Sequence, residues 1–138
     1  MNNSFQLDPT LAGDAAGSIE LNLCKVLLFN NSLFPWVILV PKKNNLKEII
    51  DLSEQDQIIL MEEIAKVSKI MQKMFSPDKL NIASLGNIVE QLHIHVIVRF
   101  KNDPAWPKPA FGHEKQAYSI KQAQKIIKQF QGLLNDHK

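Results

Sequence analysis

The chain has a single cysteine in 138 residues, Cys24, so neither a disulfide framework nor a multi-thiolate zinc site can be built from it. Cys24 lies in the apolar run Leu23 to Leu28, where a buried, inert thiol is expected. A charge excess of either sign is also missing. Sixteen basic and fourteen acidic side chains leave a formal +2, too little for the broad field that binding to long nucleic acid requires. No apolar run approaches membrane-spanning length, and Met1 to Pro9 shows no basic leader followed by an apolar stretch. A cytoplasmic protein without a membrane partner is expected.

What is present fits one compact domain: 45% hydrophobic and 22% charged residues are ordinary globular values. Residues 1–17 are rich in small and turn-forming types (Pro9, Gly13, Ala15, Ala16, Gly17), and an arm with little regular structure is expected there, followed by a single domain over 18–138. Leu23 to Phe29 and Trp36 to Val40 read as adjacent antiparallel strands, separated by a short connection of turn formers. Ser53 to Asp56 resembles a capping box. Ile58, Met61, Ile64, Ala65, Met71, Met74 and Phe75 follow at helical spacing, which predicts a long helix to Phe75, stopped by Ser76-Pro77.

Leu80 to Ala83 reads as a short strand. From Leu92 to Phe100 the chain alternates, with Leu92, Ile94, Val96, Val98 and Phe100 on one face and Gln91, His93, His95, Ile97 and Arg99 on the other. The pattern predicts a one-sided sheet. Pro104, Pro107, Pro109 and Gly112 make 101–112 an irregular loop. Ser119 with Gln122 predicts a second capped helix, docked by Ile120, Ala123, Ile127, Phe130 and Leu134. The whole is α+β: about five antiparallel strands, one long helix packed on them and a C-terminal helix.

His93 and His95 leave the same strand face roughly 7 Å apart, close enough to address one small ligand. By itself His-x-His fits a solvated strand face, half a metal site or an acid/base pair. His113 could complete a metal site with His93 and His95, which leaves a metal-binding protein as a further reading, but the strand lacks an obvious carboxylate or cysteine ligand and no metal is assigned. His137 reads as a tail residue, and Lys42, Lys43 and Arg99 as solvated flanks.

The wider stretch Gly86-Asn87-Ile88-Val89-Glu90-Gln91-Leu92-His93-Ile94-His95-Val96-Ile97 resembles the signature of the histidine-triad (HIT) family. Upstream, Trp36 to Lys43 is similar to that family's apolar strand ending in Pro-Lys-Lys. Downstream, Pro104-Ala105-Trp106-Pro107 resembles the loop of a bacterial branch that carries Gln-x-His-x-His. The resemblance implies a nucleotide phosphohydrolase or nucleotidyl transferase acting at an α-phosphate, on a dinucleoside polyphosphate, a nucleoside phosphoramidate or an adenylate. It implies no resident cofactor, although a divalent ion can accompany the substrate phosphates.

In that reading His93 is the nucleophile, its second ring nitrogen fixed by the main-chain carbonyl of Gln91, and His95 donates to a non-bridging phosphate oxygen. Asn87 holds the phosphate or leaving group. Phe29 packs on the base and Asn31, in place of an acid, accepts from the ribose hydroxyls. A homodimer is implied, in which Trp106 reaches the partner's site. Gln91 replaces the first histidine of the triad and cannot serve as an acid; the rival reading is a non-catalytic nucleotide-binding or sensing protein.

Overall fold

The computed structural model describes residues 4–136, so His137 lies outside the described residues. Helix α1 (Pro9–Gly13) is capped by the Asp8 carboxylate, which accepts from the Thr10 N–H at 2.8 Å, and has proline in its first turn. Strand β1 (Ala15–Glu20) follows at once and pairs antiparallel with β2 (Cys24–Phe29). This corrects the expectation of little regular structure up to Gly17. The small residues there serve close packing: a Cβ on Gly17 would lie 2.9 Å from Ile127 Cγ1.

Strand β3 (Trp36–Pro41) pairs with β2. Strand β4 (Lys79–Ser84) pairs with β5 (Ile94–Arg99), and β5 with β3, giving one antiparallel sheet in the order β1-β2-β3-β5-β4. Helix α2 (Glu54–Phe75) starts where the Ser53 hydroxyl accepts from the Asp56 N–H at 3.1 Å, and Ser76 ends it in the left-handed conformation. Helix α3 (Ile120–Asp136) opens on a reciprocal capping box between Ser119 and Gln122.

The stripe of α2 that meets the sheet differs from the expected one. Leu60, Ile64, Val67, Ile70 and Met71 are buried, whereas Ile58 and Met61 are 62% and 64% exposed and Ala65 is exposed with them. The helix carries two apolar stripes, and periodicity alone does not say which one faces inward. Similarly, α3 docks through Ala123, Phe130 and Leu134 while Ile120 stays outside. Glu63 sits in the buried stripe because its carboxylate accepts from the Leu23 and Cys24 N–H groups, both at 2.8 Å, tying α2 to the start of β2. Burial beside this carboxylate pushes the Cys24 thiol far above its ordinary value, in keeping with an inert thiol.

Both faces of the sheet are covered. The helix side holds Val26, Leu28, Val37, Leu39, Leu92, Ile94, Val96 and Val98 against α2 and α3. On the far side Leu27, Phe34, Trp36, Ile38, Val40 and Ile97 form a second cluster, closed by Leu11 of α1 and Ala110 of the proline loop. Every residue of β5 is therefore buried, which corrects the one-sided sheet.

Arg99 is likewise no solvated flank. It is 1% exposed, its Nε and Nη2 donating to Asp103 at 2.8 and 3.1 Å, Nη1 to Asn81 at 2.8 Å, and Nη2 to the Lys108 carbonyl at 2.7 Å. Burial alone would raise the Asp103 carboxyl. Arg99 and the main-chain N–H groups of Phe100, Ala105 and Trp106 outweigh it and hold the group down at about 2. One buried carboxylate thus anchors the loop that closes the second cluster.

Candidate active site

The two histidines open from β5 and its N-terminal approach into one cavity of about 410 Å³ on the far side of the sheet. His93 and His95 are 4% and 7% exposed, with ring centroids 4.9 Å apart at 74°. Both arise from the two-residue strand period, and the same alternation sends Leu92, Ile94 and Val96 into the helix-side core.

His93 Nδ1 lies 2.6 Å from the main-chain carbonyl of Gln91. A carbonyl only accepts, so Nδ1 of the neutral ring carries the hydrogen and Nε2 keeps its lone pair. The Gln91 side chain does not enter the cavity. Its Oε1 accepts from the Asp8 N–H at 2.8 Å and its Nε2 donates to the Gln6 carbonyl at 2.9 Å, so the amide clasps the segment leading into α1. Gln91 was placed at the catalytic strand through its main-chain carbonyl; its side chain contacts the N-terminal wall.

His95 is fixed by a residue that sequence reasoning did not single out. The Trp36 indole donates to His95 Nδ1 at 3.0 Å across the β3–β5 pair. Burial, then the neighbouring His93, pull the His95 imidazole down to about 4, and the nearby Leu85 carbonyl only partly opposes them. His95 is neutral at ordinary pH. The signal for Trp36 was available in the strand period, which puts Trp36, Ile38 and Val40 on one face of β3, the face that continues across to His95.

Asn87 reaches the same cavity from the loop before β5, an exposed segment of the rim with Leu85 and Ile88. Gly86 shapes this loop: a Cβ there would lie 2.9 Å from the Val89 carbonyl oxygen, main chain that no side-chain rotation can move aside. Phe29 lines the opposite wall, its ring 4.5 Å from Trp36, with Lys115 Nζ 5.0 Å over it.

Asn31 is also in the wall but is 1% exposed, and its Oδ1 already accepts from the Leu33 and Gln116 N–H groups at 3.2 and 3.3 Å. The acceptor assigned to the ribose is thus engaged; the amide NH₂ is the group left for a ligand. Asp14, Phe111 and Lys115, none of them singled out from sequence, complete the enclosure.

Trp106 is not part of it. Its ring packs 5.7 Å from the Arg99 guanidinium carbon and borders a separate recess with Pro104, Phe111 and His113. His113 lies at the cavity edge against Phe34. Among the described residues no three His, Cys, Asp or Glu side chains are placed to hold a metal ion. Nor is any helix of the described residues long and apolar enough to cross a membrane.

A family model described as the HIT domain matches residues 14–102. A histidine triad protein from Marinobacter aquaeolei is 42% identical, with 97% of this chain and 98% of that chain covered and a TM-score of 0.90. One from Bradyrhizobium japonicum is 39% identical, covering 93% and 96%, with a TM-score of 0.87. A diadenosine triphosphate hydrolase from Plasmodium falciparum shares the fold at 20% identity, covering 99% and 87%, with a TM-score of 0.66. No curated protein matches the chain. With a family model spanning most of the chain and relatives alike over nearly their whole length, this chain belongs to the HIT domain family.

Proposed function

We propose that the protein hydrolyses or transfers at the α-phosphate of a nucleotide derivative, with His93 as the nucleophile. The observation that carries this reading is the 2.6 Å contact between His93 Nδ1 and the Gln91 carbonyl. It leaves the Nε2 lone pair as the reactive position of a ring that lines a ligand-sized cavity. Attack on phosphorus forms an N–P bond and releases the leaving group; water or an acceptor hydroxyl then breaks that bond. His95 presents a neutral N–H to the charge that grows on the non-bridging oxygens, and Asn87 can hold the departing group from the rim.

The HIT family comprises nucleotide hydrolases and transferases in general, and the Gln-x-His-x-His strand is read as a branch variant of its motif. The rival, a binding protein without turnover, rested on Gln91. That objection weakens because the Gln91 side chain is engaged outside the cavity while its carbonyl still serves His93. A dinucleoside polyphosphate is the first substrate to try, since the P. falciparum protein of the same fold is a diadenosine triphosphate hydrolase. Any divalent ion would arrive on the substrate phosphates. The setting is cytoplasmic and the working unit a homodimer, in which Trp106 approaches the partner's site.

The test is labelling by substrates carrying radioactive α-phosphate. Wild-type protein should take up acid-labile label and His93→Ala none, with steady-state turnover reduced by at least about 10³-fold. Binding of adenosine nucleotides without label or turnover, across polyphosphates, phosphoramidates and adenylates, would establish the sensing reading. Acid-stable label would place the chemistry on a hydroxyl group and reject His93.

A further inference from the structure

The Trp36 indole N–H can only donate, so its 3.0 Å bond to His95 obliges Nδ1 of that imidazole to be the acceptor. The hydrogen of the neutral ring must then sit on Nε2. Neither partner is free to rearrange. Trp36 is 4% exposed, tilted against Phe29 at 4.5 Å and edge-on to Phe111 at 5.3 Å, and Phe111 also meets the His95 ring at 4.9 Å. A hydrogen on Nδ1 would face the indole N–H head-on, and proton uptake by His95 would have to break the bond.

The other end of the same ring is the unexplained part. His95 Nε2 is buried, and although the Leu85 carbonyl lies near the ring it forms no well-aligned hydrogen bond among the described residues. A buried donor without a well-aligned acceptor is costly, and native structures keep one mainly where a ligand or a reaction uses it. The ring bearing it lines the cavity beside His93. The two imidazoles therefore carry opposite tautomers, a lone pair at Nε2 of His93 and an N–H at Nε2 of His95.

We propose that Trp36 is a positioning residue: by locking His95 as the Nε2–H tautomer it presents a neutral donor to an anionic oxygen of a phosphate-bearing ligand seated at His93. The opposite tautomer would turn a lone pair toward the anion and repel it. This rests on the nucleotide reading above, but the locking itself is a property of the free protein.

Nitrogen-15 histidine spectra of the full chain without ligand should show His95 as the Nε2–H tautomer near neutral pH. In Trp36→Phe, which keeps an aromatic ring and removes the N–H, both tautomers should appear. Adding AMP should move the His95 Nε2–H resonance downfield in the wild type and bind about tenfold more weakly to Trp36→Phe. A single Nε2–H form that survives in Trp36→Phe overturns the proposal. So does wild-type His95 found with its hydrogen on Nδ1, which needs no variant to fold. AMP that perturbs His93 but leaves the His95 Nε2–H resonance in place rejects this inference alone; AMP that perturbs neither ring rejects the nucleotide reading with it.

Discussion

The main-chain N–H of Asp8 donates to the Gln91 side-chain oxygen at 2.8 Å, joining residues 83 apart in sequence. Gln91 Nε2 returns a bond to the Gln6 carbonyl. Asn44 repeats the arrangement one step earlier, accepting from the Gln6 N–H at 3.1 Å and donating to the Ser4 carbonyl at 3.0 Å. Two side-chain amides thus hold an extended segment by its backbone, and the residues just beyond it, Thr10, Leu11 and Asp14, form a wall of the cavity.

Removing one clasp should loosen this segment without touching the chemistry. Gln91→Ala should accelerate hydrogen exchange of the Asp8 amide, cost about 1 kcal/mol of stability, and leave labelling of His93 within a few-fold of wild type. Asn44→Ala should act on the Gln6 amide. Gln91→His should also keep the label. Loss of labelling in Gln91→Ala, with the His93 ring still bonded to the residue 91 carbonyl, would give the amide a direct role.

His95 supplies a pH dependence whose sign is fixed. Its ordinary value is 6.5, and burial followed by the neighbouring His93 takes it to about 4 in the fold. Between these values the unfolded chain binds the proton and the folded one does not. Stability from this group is therefore complete above about pH 6.5 and falls on acidification towards pH 4, by at most roughly 3 kcal/mol. Urea midpoints measured across that window should fall, and should fall less in His95→Gln. A variant with the wild-type slope would assign the loss to other groups.

Asp103→Ala should be among the most damaging substitutions outside the sheet, because it strands the Arg99 guanidinium in a buried position without its partner. A loss of about 3–5 kcal/mol is expected, read as a lower unfolding midpoint. Asp103→Asn, which keeps an oxygen for the Phe100, Ala105 and Trp106 N–H groups but loses the charge, should fall between it and the wild type. Equal stability of all three would mean that the loop is held by its prolines alone.

The outward stripe of α2 bears on oligomeric state. Ile58 and Met61 lie exposed on a helix whose other side is fully packed, and Ile82 is 49% exposed on the edge strand β4. Sedimentation should report twice the chain mass, and Met61→Glu with Ile58→Glu should halve it while the far-ultraviolet spectrum is unchanged. A wild-type monomer at micromolar concentration would remove the argument that Trp106 works across subunits.

Much of this was legible from the residues because strand and helix periods are geometric. The alternation from Leu92 to Arg99 gave the two faces of the strand, with Leu92, Ile94, Val96 and Val98 in the helix-side core, and the Ser53 and Ser119 caps located two helix starts to within a residue. The failures have a common cause. Periodicity gives faces but not what lies opposite them, so the inward stripe of α2 and the burial of Arg99 depended on partners distant in sequence. Asn31 and Gln91 were assigned from the resemblance, which says nothing of the partners their side chains find in segments outside it. Trp36 was read as an apolar strand residue, and its N–H became informative only once β3 and β5 were paired.

Because β5 divides two cores, adjacent positions along one strand answer to different demands. A library scanned through 92–98 should split by parity, except at Ile97, which is buried in the second core. Changes at 92, 94, 96 and 98 should be seen as lost yield of folded protein, since they open the helix-side core. Changes at 93 and 95 should give full yield with low specific activity. The sheet lets the cavity wall be altered on one side while the structural core on the other keeps the fold, which is the condition under which a lineage can trade one substrate for another without first passing through an unfolded intermediate.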